Sequence, residues 1–230
     1  MKAVAKRQPD RTRQTLLECA FEEMHRSGFR AASLDAILES SGVTKGALYH
    51  HFGSKTQLGY AVVEEVVRPW IEAAWRPVVD ADNCIDAAIT VCRELTRTRS
   101  AHAIEYGCPF NNLINEMSPV DEGFRKRLQT ILDDWRAGIV AAMRNGQERR
   151  VVRADVAAED AAAFIIASIE GGVGLAKSKR SREFLESSMR GLVDYLESLR
   201  ARPGQAAAVR HARPAQDGAV LAPTFKTSRS

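Results

Sequence analysis

The spacing of apolar positions predicts helices along most of the chain. Leu17, Ala20, Phe21 and Met24 recur at steps of three and four, with Asp10 or Thr12 placed to cap the segment and Gly28 to end it. Ser33 caps a short second helix with Leu34, Ile37 and Leu38 inward, and residues 39–42 form a tight turn. Thr44 starts a third helix, in which Leu48 and Phe52 lie one turn apart on one side while Lys45, Tyr49 and His50 point elsewhere. Ser54 caps a fourth containing Leu58, Ala61 and Val62; it is expected to reach about Val67, where Arg68-Pro69 breaks or kinks it. Three short helices with a Gly-containing turn before the third fit a helix-turn-helix, whose second helix of the pair enters the major groove.

Beyond a loop expected at Pro77 and residues 80–83, two apolar stripes follow: Ile85, Ala88, Ile89, Cys92 and Leu95, then Phe124, Leu128, Ile131, Trp135 and Ile139. Between them, residues 106–119 are polar and punctuated by proline, yet rich in large side chains. A helix opening at Asp155 carries Phe164, Ile165, Ile169 and Val173, and Gly171, Gly172 and Gly174 are expected to interrupt it. The last helix, from about Ser181, places Leu185, Met189, Leu192, Leu196 and Leu199 at alternating steps of four and three, a helix-packing seam. The predicted fold is all-α. A basic arm spans residues 1–9, a three-helix DNA-binding head residues 10–56, a larger helical ligand-binding and dimerisation domain residues 57–200, and a disordered tail residues 201–230.

Charge changes this picture less than its total suggests. The formal net charge is +4, but Arg202, Arg210, Arg213, Lys226 and Arg229 against Asp217 place the whole excess after residue 200. DNA binding therefore has to rest on local charge. The longest apolar run, residues 161–167, falls far short of the roughly 20 residues a membrane span needs, and no signal peptide precedes it. A cytoplasmic protein without membrane partners is expected. Cys19, Cys84, Cys92 and Cys108 show no Cys-x-x-Cys spacing, which predicts free thiols and no metal site. His50 and His51 do not make a metal pair, because adjacent helical residues point about 100° apart. No nucleophile–base arrangement, phosphate loop or cofactor motif is assignable, so no enzyme and no cofactor are expected.

Residues 12–55 carry a specific resemblance. Gly28, Ser33, the run from Gly42 through Val43, Thr44, Lys45, Gly46, Ala47, Leu48, Tyr49, His50 and His51 to Phe52, then Ser54, Lys55 and Leu58, closely resemble the DNA-binding head of the TetR family of one-component regulators. The segment from Tyr106 through Gly107, Cys108, Pro109, Phe110, Asn111 and Asn112 to Leu113 is similar to a Gly-Cys-containing segment of one subgroup, some members of which sense electrophiles or oxidants. The resemblance implies a homodimer on a double-stranded operator, released by a small-molecule effector.

The head's chemistry agrees with that implication. Helix N-termini attract phosphate, so Thr44 and Ser54-Lys55 mark two anion-attracting ends, and the arm residues Lys2, Lys6 and Arg7 add charge. Lys45 is placed to reach a guanine edge, Gly46 lets the backbone approach a base, and Tyr49 and His50 are expected to touch phosphate or base; Ser33 completes the expected DNA set with Thr44 and Lys55. Trp70, Trp75, Tyr106, Cys108, Phe110, Trp135 and Phe164 are expected to line an apolar pocket, with Asn111, Asn112, Asn115 and Glu116 as orienting polar groups. Ile165, Ile169, Gly172, Leu185, Met189, Leu192 and Leu196 are expected at the dimer interface. Pro109 puts Cys108 at a helix N-terminus, where the dipole favours thiolate and makes a cysteine-based sensor the alternative switch.

Overall fold

The computed structural model describes residues 7–98 and 100–201. Lys2, Lys6 and the tail after residue 201 lie outside the described residues. Helix α1 (Arg7–Ser27) begins ahead of the expected cap, so Arg7 belongs to a helix and not to an arm. Gly28, at φ 82°, then turns the chain toward Ser33, whose hydroxyl accepts from the Ala36 amide and caps α2 (Leu34–Ser41). Gly42 at φ 65° ends α2, and Thr44 caps α3 (Lys45–Phe52) by accepting from the Ala47 amide. Leu16, Leu17, Ile37, Leu48 and Leu58 are fully buried where these helices meet. Glu23 of α1 is buried as well and accepts from the Ser33 amide, Arg26 and Ser27, fixing the approach to α2.

Helix α4 (Lys55–Val62) does not stop at proline. A π-turn over Val63–Val67 carries it into α5 (Arg68–Val79). The Arg68 amide bonds to the Val63 carbonyl, five residues back, and this wider turn accommodates Pro69, which has no amide to donate. The expected loop at Pro77 is likewise helix. Proline in a helix costs about 3 kcal/mol, while each buried Ile71, Trp75 and Val78 contributes roughly 1.5–3 kcal/mol, so burial outweighs the break. The result is one strut from head to body, paired to the head by Arg13 and Glu65 and to the body by Arg68 and Asp134 at 2.7 Å.

The body contains α6 (Cys84–Arg97), α7 (Ser100–Tyr106), α8 (Pro109–Met117), α9 (Glu122–Glu148), α10 (Ala158–Lys179) and α11 (Arg182–Ser198). Helix α10 passes through Gly171, Gly172 and Gly174 without the expected interruption. At Gly172 an added Cβ would lie 3.0 Å from the Ser188 side chain and 3.1 Å from that of Met189, so this glycine serves close packing of α10 on α11 inside the protomer. Helix α10 is long and apolar enough to cross a membrane by length and composition, yet nine of its residues are buried in this bundle.

The expected dimer seam was misjudged from spacing alone. Ile165, Ile169, Leu185, Met189, Leu192 and Leu196 face the protomer's own core, each 8% exposed or less. Gly172 is buried with them. A heptad-like seam reports helix packing and does not distinguish a partner helix from a neighbour in the same chain. The exposed side of α10 instead carries Ala163, Phe164, Ala167, Gly171 and Leu175.

Candidate DNA-binding face and effector cavity

Leu48 and Phe52 anchor α3 in the head, which leaves its other side open. Thr44, Lys45, Gly46, Tyr49 and His50 are all exposed there, and an added Cβ at Gly46 would meet nothing within 4 Å. Neither α3 nor α4 has an acidic residue in its first turn. Their amide ends, under the Thr44 and Ser54 hydroxyl caps, are therefore open to an anion. Ser33 is exposed at the start of α2. Lys55 is placed differently from the expectation: its ammonium donates to the Arg30 carbonyl at 3.0 Å and sits 5.1 Å from the centre of the Phe29 ring. It braces the loop before α2.

The body holds a cavity of about 830 Å³, partly open to solvent, between α1, α5, α6, α7, the start of α8, α9 and α10. Of the expected pocket residues, Trp70, Trp75, Cys108 and Trp135 line it. The others are elsewhere. Phe110 is buried in the core edge-on to Trp135 at 6.1 Å, and Phe164 is half exposed, packed on Tyr195 at 4.5 Å. Asn112 donates to the Tyr106 carbonyl, Asn111 to the Glu170 carbonyl and Asn115 to the Asn111 carbonyl, so the three amides secure backbone. Tyr106 stacks against His25 and His102, with ring centres 5.7 and 5.1 Å away, outside the lining set. Ile169, expected between protomers, belongs to the cavity wall.

Two polar residues of consequence, His25 and Glu170, carried no local signal, and a third, Glu116, was expected in the pocket and lies outside its wall. His25, from α1, lines the cavity and hydrogen-bonds through Nε2 to the Gly107 carbonyl at 3.0 Å. Burial holds its pKa down at about 4, so the ring is neutral. Glu170, from α10, has one carboxylate oxygen closed to solvent without a partner, and burial raises its pKa to about 7, with a hydrogen bond from the Cys108 thiol opposing. Glu116, at the far end of α8, accepts the Phe29 and Arg30 amides, each at 2.8 Å. All three contacts join positions 62 or more residues apart along the chain.

Cys108 does sit at the N-cap of α8 with Pro109 following, as expected. Its expected acidity is overturned. Burial pushes the thiol well above its ordinary range, and the Glu170 charge pushes the same way. The helix end is worth about 0.3–1 kcal/mol, whereas full burial moves a pKa by up to 3–5 units, so the protonated thiol wins. Cys92 is raised to about 11 by burial, and Cys84 is raised for the same reason.

Comparison with known proteins decides what this arrangement is. Residues 16–62 match the family described as bacterial regulatory proteins, tetR family, and residues 85–192 match the tetracyclin repressor-like C-terminal domain. The chain belongs to the TetR family of transcriptional regulators. It is 29% identical over 178 residues to the HTH-type transcriptional repressor DhaR of Mycobacterium sp. strain GP1, covering 76% of this chain and 86% of that one. An HTH-type regulator from Lactococcus lactis subsp. lactis is also 29% identical, over 181 residues, covering 77% of this chain and 89% of the relative. A TetR-family regulator from Cytophaga hutchinsonii shares the fold with a TM-score of 0.77 at 20% identity, covering 87% of this chain and all of that one. The exposed side of α3 thus belongs to a DNA-binding transcriptional regulator.

Glu170 gives this TetR-family protein a measurable pH signature. Its pKa is raised from 4.5 to about 7, so between those values the folded state binds the proton more tightly than the unfolded chain. Relative to Glu170→Gln, the wild type should lose stability as pH rises from about 4.5 to about 7, by up to about 3 kcal/mol, and stay level above that. Urea unfolding of both proteins across this range checks it; parallel curves would contradict the assignment.

Proposed function

We propose that the protein is a dimeric repressor that binds a palindromic operator through two copies of α3 and leaves it when a small molecule fills the cavity. The observation that carries this reading is the position of α8. Its Cys108-Pro109 start lines the cavity, and its Glu116 holds the head's Phe29 and Arg30 amides. A ligand that shifts α8 by even a fraction of an ångström must either drag the loop between α1 and α2 or break two charge-assisted hydrogen bonds. His25, on the same helix as the head's core, provides a second direct tie through Gly107.

On DNA, the Thr44 and Ser54 helix ends take phosphates, Ser33 and Tyr49 add hydroxyl contacts, and His50 reaches phosphate or base. Lys45 reads a guanine edge, and Gly46 keeps the backbone close enough for it to do so. Lys55 acts by bracing the head. The dimer forms through the outer side of α10, where Phe164 is 49% and Leu175 55% exposed beside Ala163, Ala167 and Gly171. A face of small residues with two large apolar ones suits a close helix pairing, and a dimer sets the two recognition helices about one DNA turn, 34–36 Å, apart. Such a regulator works where the chromosome is, in the cytoplasm.

Two substitutions test these assignments. Lys45→Ala should cost about 1–3 kcal/mol of operator affinity and relax preference at one base pair per half-site, read by mobility shift on the DNA upstream of its own coding sequence. Unchanged affinity and sequence preference would remove Lys45 from the base-reading role. Leu175→Glu should yield a monomer in sedimentation, with operator binding lost in parallel. A variant that stays dimeric would move the interface off α10.

A further inference from the structure

We infer that the cavity takes a lipophilic organic cation, an aromatic or alkyl amine whose ammonium pairs with Glu170 while its apolar part lies against Trp70, Trp75 and Ile169. This rests on reading the cavity as the effector site and names the class of molecule that fills it. The sign of the charge around the cavity points first. Glu22, Glu94 and Glu170 contribute to the lining, and among the described lining residues there is no Lys or Arg. His25 is neutral and committed to the Gly107 carbonyl, and His102 is exposed, 5.0 Å from it ring to ring. Lys177 of α10 reaches Asn112 at 3.3 Å and is not part of the wall. A carboxylate or phosphate ligand would enter against three like charges with no cation to receive it.

The second observation is Glu170 itself. Its Oε2 is buried without a partner, and the neighbouring Cys108 thiol is a weak donor that cannot neutralise a carboxylate. An acidic group left in that state is destabilising, and a ligand N–H that reaches it forms a charge-assisted hydrogen bond in a low-dielectric site. Three tryptophans supply the rest. Trp70, Trp75 and Trp135 all line the cavity, and aromatic faces attract organic cations. The indole N–H of Trp135, a residue of this wall, is also buried without a partner.

The chain has three tryptophans and all of them line the cavity, so intrinsic fluorescence reports on it directly. Three probes of one shape, 4-phenylbutylamine, 4-phenylbutanol and 4-phenylbutyrate, are titrated into the full-length protein at pH 7.5. The amine should bind more than about tenfold more tightly than the alcohol, with the acid weakest. Glu170→Gln should bring amine and alcohol within about twofold while leaving alcohol binding in place. An acid that binds as well as the amine, an amine preference that survives Glu170→Gln, or no fluorescence response to any probe overturns the inference. DNA release by the amine is read separately: a strong amine preference without release contradicts effector-driven release and leaves the ligand class standing.

Discussion

The loop between α1 and α2 is fixed to the body by the Glu116 carboxylate. Glu116 accepts the two consecutive amides of Phe29 and Arg30 at 2.8 Å each, in the loop that Gly28 turns at φ 82°. That geometry leaves no room for a side chain on residue 28, where a Cβ would fall 2.9 Å from the Glu116 oxygen. The same loop is tied from below by Lys55 at the Arg30 carbonyl and packed by Phe29 on Phe124, ring centres 4.6 Å apart, across Gly59. The tightness at Gly59, where a Cβ would meet the Phe29 ring at 2.5 Å and Phe124 at 2.7 Å, shows how closely strut, loop and body are fitted. A rigid seam of this kind passes small displacements on, because packed interfaces deform poorly.

Helix α8 connects that seam to the cavity within nine residues. Gly107, at φ 76°, reverses the chain so that Cys108 and Pro109 open the helix against the cavity wall. Asn112 secures the reversal by donating to the Tyr106 carbonyl at 2.7 Å, and Lys177 of α10 donates to Asn112 in turn. The buried thiol and carboxyl at the cavity end are therefore part of a polar arrangement whose far end is the DNA-binding head. Desolvation sets their protonation: the thiol keeps its proton, and Glu170 titrates near neutrality. An acid held half-neutral in an apolar wall has most to gain from a cation.

The head was legible because its rules are local. Ser33, Thr44 and Ser54 cap helices as their positions predict, Gly28 and Gly42 end them, and Leu48 and Phe52 anchor α3. The strut was misread because a π-turn, which no propensity signals, absorbs Pro69, and because burial of Trp75 and Val78 overrides Pro77. The Leu185 to Leu196 stripe was a true packing seam assigned to the wrong neighbour. His25 and Glu170 escaped, and Glu116 was assigned to the pocket instead of to the head, for one reason: each works through a partner far away in sequence, and a single Glu or His carries no mark of it. The pocket asparagines failed oppositely, since they looked like ligand groups and are occupied by backbone carbonyls.

The proposed release depends on α8 carrying cavity occupancy to the head, and amide hydrogen exchange at Phe29 and Arg30 measures that link most directly. In the free protein both amides are held by Glu116 and should exchange slowly. With the cavity saturated, as shown by tryptophan fluorescence, their exchange should quicken while amides in the buried middle of α9 keep their rates. Exchange at Phe29 and Arg30 that is unchanged in a demonstrably filled protein would contradict release through α8.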